Sequence, residues 1–139
     1  MQANAILETT LYGTDLEALE RFYLDVFGLK RIEGTPGRNV VLQCGKSALI
    51  LFNPEATSKP GGKFPAHGTT GAGHIAFVIR ENELEAWRAH LKAKGVKVEK
   101  EISWDEGGVS IYFRDPAGNS VELAPPTIWG GLGKTLFNS

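Results

Sequence analysis

Apolar and polar side chains alternate through "ILETTLYG" (6–13), the period of a half-buried strand. The period then changes. In "TDLEALERFYLDVFG", Leu16, Leu19, Phe22, Tyr23 and Val26 recur at i, i+3, i+6, i+7 and i+10, one face of a helix. Thr14 and Glu17 read as a capping-box pair at its start, and Gly28 as its left-handed stop. Three short strands are predicted next, around 29–33, 39–44 and 47–52, separated by the turns "TPGR" and "CGKS". After the Pro/Gly-rich stretch 53–73, which is long for a loop inside a compact domain, the pattern restarts. "GHIAFVI" is a strand, and "ENELEAWRAHLKAKG" is a helix with Leu84, Trp87 and Leu91 on one face. Asn82 and Glu85 form its cap and Gly95 its stop. "VKVEKEI", "GVSIYFRD" and "NSVELA" are three more strands, the last pair joined by the turn "DPAGN".

The order of elements is therefore βαβββ written twice: Glu8 to Gly28 spans 20 positions and His74 to Gly95 spans 21. The expected organisation is one α+β domain over 1–139. It comprises a first βαβββ module (6–53), a linker or lid loop (54–72), a second module (73–125) and a tail (126–139) without periodicity, free to wrap over a surface or a partner.

Composition narrows the class. With 139 residues, 42% hydrophobic and 22% charged, the chain can bury a core. Fifteen basic against 16 acidic residues, with no basic stripe, give no expectation of nucleic acid as a partner. No signal peptide or apolar run of membrane-spanning length is visible, so a cytoplasmic protein with no membrane partner is expected. The single cysteine, Cys44, ends the apolar run "NVVLQC" and reads as a packing residue rather than a reactive thiol.

Strand parity supplies the candidate chemistry. Successive side chains on a strand point to opposite faces, and the helices must cover the more apolar face of each sheet. Leu7 and Leu11 then oppose Glu8, Thr10 and Tyr12. Ile75, Phe77 and Ile79 oppose His74, and Val121 and Leu123 oppose Glu122. Glu8, His74 and Glu122 share the face away from the helices. Carboxylates inside strands are costly to desolvate unless paired with a cation. A divalent metal resolves the clustering, and a mixed nitrogen–oxygen set suits Ni, Zn, Mn, Fe or Co.

The segments "TDLEALERFYLDVFGLK", "GAGHIAFVI" and "YFRDPAGNSVEL" resemble the vicinal oxygen chelate superfamily. Its members include glyoxalase I-type lyases, extradiol dioxygenases, fosfomycin-resistance transferases, epimerases and bleomycin-binding proteins. The resemblance runs from Leu7 to about Pro125. It implies two βαβββ modules curled into a half-open mixed β-barrel, a homodimer, and metal ligands on the first, fifth and last strands. Those positions here are Glu8, His74 and Glu122. The first position is most often His or Gln in the family, so the set here is more anionic. The fourth ligand of glyoxalase I-type and epimerase sites falls within "SALILF", at Leu49 or Leu51, where no carboxylate stands.

The activity implied is metal-dependent lyase or isomerase chemistry on a small substrate with vicinal oxygens. The metal acts as Lewis acid toward an enolate or oxyanion, and Glu8 doubles as base. Extradiol-type oxygen chemistry is the second reading, and a non-catalytic, bleomycin-resistance-like binding protein the third. Tyr112, on the face of Ser110, is a candidate donor to a substrate oxyanion. His67 in the long loop is a candidate acid or base, although a surface histidine is the simpler reading. Trp104 and Trp129 are candidates for an aromatic pocket or for an interface, and Trp87 for the core. Arg38, Lys63 and Arg114 are candidates for an anionic substrate group.

Overall fold

A computed structural model describes residues 1–136; Phe137, Asn138 and Ser139 of the expected tail lie outside them. The chain forms two compact units. One holds residues 1–73 with 116–118; the other holds 74–115 and the residues from 119 onward.

The first unit runs β1 (Glu8–Tyr12), α1 (Leu16–Phe27), β2 (Lys30–Thr35), β3 (Asn39–Cys44) and β4 (Ser47–Phe52), with sheet order β1-β4-β3-β2. β1 and β4 are parallel and the other pairs antiparallel. After the short α2 (Pro54–Thr57), the second unit repeats the plan. Its elements are β5 (His74–Val78), α3 (Leu84–Ala93), β6 (Val98–Ser103), β7 (Val109–Arg114) and β8 (Ser120–Ala124), in the order β5-β8-β7-β6 with β5 parallel to β8. The outer strands β2 and β6 each carry a bulge, between Arg31 and Glu33 and between Val98 and Lys100. The two βαβββ modules expected from the periodicity are both present.

The helices begin differently from expectation. Asp15, not Thr14, caps α1: its Oδ1 accepts from the Ala18 N–H at 3.0 Å, a charged acceptor at the positive helix end. Gly28 stops α1 at φ 62° as expected. Asn82 caps nothing, because a single 3-10 turn, Glu81–Glu83, precedes α3, and Glu83 Oε2 accepts from the Arg80 N–H instead. Gly95 has the left-handed φ of 70° just past α3.

Leu19 and Tyr23 of α1 are buried with Leu42, Leu49 and Leu51 of the first sheet; Leu91 of α3 is buried with Ile111, Phe113, Val121 and Leu123 of the second. Trp87, expected in the core, is half-buried and meets His90 edge-on at 5.5 Å. α3 is a weak amphipath with one fully buried residue, and it is tied to β6 by the bidentate pair of Arg88 with Glu101. Cys44 is half-buried, and burial pushes its thiol pKa up.

The "DPAGN" turn is closed by a buried clasp. Asp115 Oδ1 and Oδ2 accept from the backbone N–H and side-chain amide of Asn119, each at 2.9 Å. The Asp115 N–H donates to Asn119 O at 3.1 Å, and Gly118 takes φ 84°. The tail is helical rather than irregular: a 3-10 turn, Pro126–Trp129, leads into α4 (Gly131–Leu136). No helix among the described residues is long and apolar enough to cross a membrane.

Two outcomes follow. Asn119→Ala leaves Asp115 short of a charge-assisted hydrogen bond in a buried site and lowers stability by about 2–3 kcal/mol, read as a fall in the urea midpoint. Because the raised Cys44 pKa keeps its thiolate scarce at pH 8, iodoacetamide alkylates it more slowly than glutathione, and its rate keeps rising at pH values where glutathione's has levelled off.

Candidate metal and substrate site

In the second unit, register places His74 opposite Ser120, Ala76 opposite Glu122, and Tyr112 opposite Glu122 from the other side. His74, Glu122 and Tyr112 therefore share one face of that sheet, while Val121, Leu123, Ile111 and Phe113 fill the other.

The polar groups are connected. His74 Nδ1 lies 3.1 Å from Ser120 O, and its Nε2 lies 3.2 Å from Glu122 Oε2. Tyr112 O–H donates to Glu122 Oε1 at 2.9 Å, and Trp104 Nε1–H donates to the hydroxyl of fully buried Ser110 at 2.8 Å. Burial pushes the Tyr112 pKa up, and the hydrogen bond to and charge of Glu122 push it further; a hydrogen bond from Ser110 opposes them. Donors thus run head to tail from Trp104 through Ser110 and Tyr112 to Glu122. Glu122 is 6% exposed, so its carboxylate depends on these partners.

The donor set fits a cation. A carbonyl oxygen can only accept, so the proton of His74 sits on Nδ1 and is donated to Ser120. With the ring neutral, the Nε2 lone pair points at Glu122 Oε2 and a divalent ion would sit between them; with the ring protonated, Nε2–H donates to that oxygen as an ion pair. Two adjacent ligands on one ion, with bonds of about 2.0–2.1 Å, stand about 3 Å apart. A histidine whose other nitrogen is held by a backbone carbonyl is the usual orientation of a metal ligand.

Glu8 opens β1 in the first unit, solvent-exposed and opposite Ala48. It holds in its module the register place that His74 holds in the second, where the partner is Ser120. By the same register the counterpart of Glu122 is Ile50, which corrects the expectation of Leu49 or Leu51: both of those lie on the helix-covered face. The fourth carboxylate is still missing, replaced by a buried isoleucine. Among the described residues no three His, Cys, Asp or Glu side chains gather as a metal-binding group; His74 and Glu122 form a pair.

The other candidates divide by unit. His67 is not a free surface residue. It shares a 2.7 Å hydrogen bond with Tyr12 Oη, and its ring centroid is 4.7 Å from that of Phe52. Arg38 and Lys63 flank the exposed ring of Phe64 at 5.9 and 5.4 Å. Arg114 is committed to Glu99, with nitrogen–oxygen distances of 2.6 and 3.1 Å; that hydrogen-bonded pairing lowers the Glu99 pKa.

His74, Glu122 and Tyr112 line a concavity of about 590 Å³ whose wall includes Val78, Trp104, Ile128 and Trp129. Trp104 and Trp129 belong to this site, a role for which strand parity gives no signal.

The chain is 30% identical over 127 residues to biphenyl-2,3-diol 1,2-dioxygenase 3 of Rhodococcus globerulus, covering 87% of this chain but only 60% of the dioxygenase. It is 27% identical over 114 residues to glutathione transferase FosA of Serratia marcescens, covering 82% and 75% of the two chains. A crystal structure of lactoylglutathione lyase from Agrobacterium tumefaciens matches with a TM-score of 0.89 and 41% identity, over 94% of this chain and 99% of that one. The family model for the glyoxalase/bleomycin resistance protein/dioxygenase superfamily matches residues 5–123, and the chain belongs to that superfamily.

Proposed function

We propose that the protein is a divalent-metal-dependent enzyme of lyase or isomerase type acting on a small substrate with two adjacent oxygens. The observation that carries this is the His74–Glu122 pair: an imidazole nitrogen 3.2 Å from a carboxylate oxygen, with the histidine's other nitrogen 3.1 Å from Ser120 O. The likeness to a lactoylglutathione lyase structure at 41% identity supports the lyase choice. The 30% identity to a dioxygenase favours oxygen-dependent ring cleavage as the second reading.

In this reading His74, Glu122 and Glu8 hold the ion, with Glu8 supplied by the same chain or by a second copy in a homodimer. When bound, a divalent ion draws electron density from adjacent substrate oxygens and acidifies a neighbouring C–H. Glu8 carries an exposed carboxylate suited to accepting that proton. Tyr112 positions Glu122 by donating its one proton to Oε1, and its raised pKa keeps the phenol protonated; that proton serves a substrate oxyanion only by leaving Glu122. Ser120 O holds the His74 ring in the tautomer the site requires.

Metal content of protein purified without chelator tests the reading. About one divalent ion per chain is expected, lost in His74→Ala and in Glu122→Ala, with turnover of the methylglyoxal–thiol adduct lost in parallel. Metal-free wild-type protein that binds ligand without turnover would leave a sequestering protein, and cleavage of catechols under oxygen would select the second reading. Tyr112→Phe keeps the metal and lowers kcat by about 100-fold, the ordinary worth of a positioned proton donor. Mixing Glu8→Ala chains with His74→Ala chains restores metal binding if Glu8 acts across copies and restores none if it acts within one chain.

A further inference from the structure

The apolar side of the concavity has a feature that metal chelation does not require. Trp129 is 63% exposed and Trp104 38% exposed, yet both are built into place. The Trp104 indole is fixed by its hydrogen bond to Ser110. Trp129 ends a turn that is bolted down at three points. Thr127 Oγ1–H donates to Glu81 Oε1 at 2.6 Å. Gly108, at φ 83°, lies so close that an added Cβ would be 2.5 Å from Pro125 Cγ. α4 packs its Gly133 against the same turn, where an added Cβ would be 1.7 Å from Pro126 O.

Large aromatic surface left facing water is unfavourable by itself, and a turn held this firmly does not collapse to hide it. The indoles stand in the wall of the concavity whose polar residues are His74, Tyr112 and Glu122. Trp104 is also joined through Ser110 and Tyr112 to the Glu122 carboxylate, so a group resting on its indole bears on one end of that hydrogen-bonded chain.

We infer that Trp104 and Trp129 form a subsite for a flat aromatic group on the substrate, placed beside the oxygens that the polar residues receive. This inference rests on the proposed function for the location of those oxygens. The subsite selects among substrates of one chemistry: two compounds with the same pair of oxygens are separated by whether they carry an aryl or a methyl substituent.

Mandelate and lactate are such a pair, both α-hydroxy acids, differing in phenyl against methyl. Their binding to the full chain as purified is measured by calorimetry and by quenching of tryptophan fluorescence. Mandelate is expected to bind about tenfold or more tighter than lactate. Trp129→Leu and Trp104→Leu each bring the ratio below about threefold through loss of mandelate affinity alone, while Trp129→Phe retains most of it. Circular dichroism of each variant verifies the fold.

Glu122→Ala is expected to weaken both compounds equally and to leave the ratio intact. If it changes neither affinity while the ratio persists, the aromatic subsite stands and the metal-chelate reading falls. Equal affinities in the wild-type protein, or no detectable binding of either compound, overturn the subsite. So does a leucine variant that keeps the full ratio, including one that turns a dimer into monomers by light scattering; the tryptophans would then belong to an interface between copies.

Discussion

The buried clasp between Asp115 and Asn119 is the constraint on which the site depends. A one-residue slip in strand pairing sends every side chain to the opposite face. The clasp closes the β7–β8 hairpin with two hydrogen bonds to one carboxylate and a backbone bond in return. That closure sets Tyr112 beside Glu122, and the parallel pairing of β8 with β5 then sets His74 one step away on the same face. A polar cluster of this kind, almost entirely out of water, has to be fully satisfied to be tolerated. Its specificity for one register matters more here than any net contribution to stability.

Duplication gave the chain two equivalent sheets, and the two have been used differently. At matching register positions the first module carries Glu8 and Ile50 where the second carries His74 and Glu122. Ile50 is buried, so the first module keeps an apolar side chain where the second holds the Glu122 carboxylate. On the same face of the first module, Tyr12 is engaged by His67 of the long loop.

The second module concentrates its hydrogen-bond donors on one acceptor. Trp104, Ser110 and Tyr112 form a series that ends on Glu122, and Ser120 holds the ring facing it. This arrangement fixes the carboxylate and the imidazole before any ligand arrives, which limits the ordering cost of binding. The aromatic wall is rigid for a separate reason: the turn bearing Trp129 rests on glycine positions where no larger residue fits without displacement.

Local periodicity was sufficient for the eight strands, for α1 and α3, and for the assignment of His74 and Glu122 to one face, because parity on a strand is a property of the chain itself. It also marked the stops at Gly28 and Gly95, where only a residue without a Cβ enters the left-handed region cheaply. The caps were misread because several polar residues at a helix start compete for the same few N–H groups, and the path of the entering chain decides among Thr14, Asp15, Asn82 and Glu83. The fourth-ligand position required the cross-strand register, which moved it from Leu49 or Leu51 to Ile50. The rim position of Trp129 and the engagement of His67 arise from contacts between segments far apart in sequence. Such contacts leave no period in the chain, so only the tertiary structure decided them.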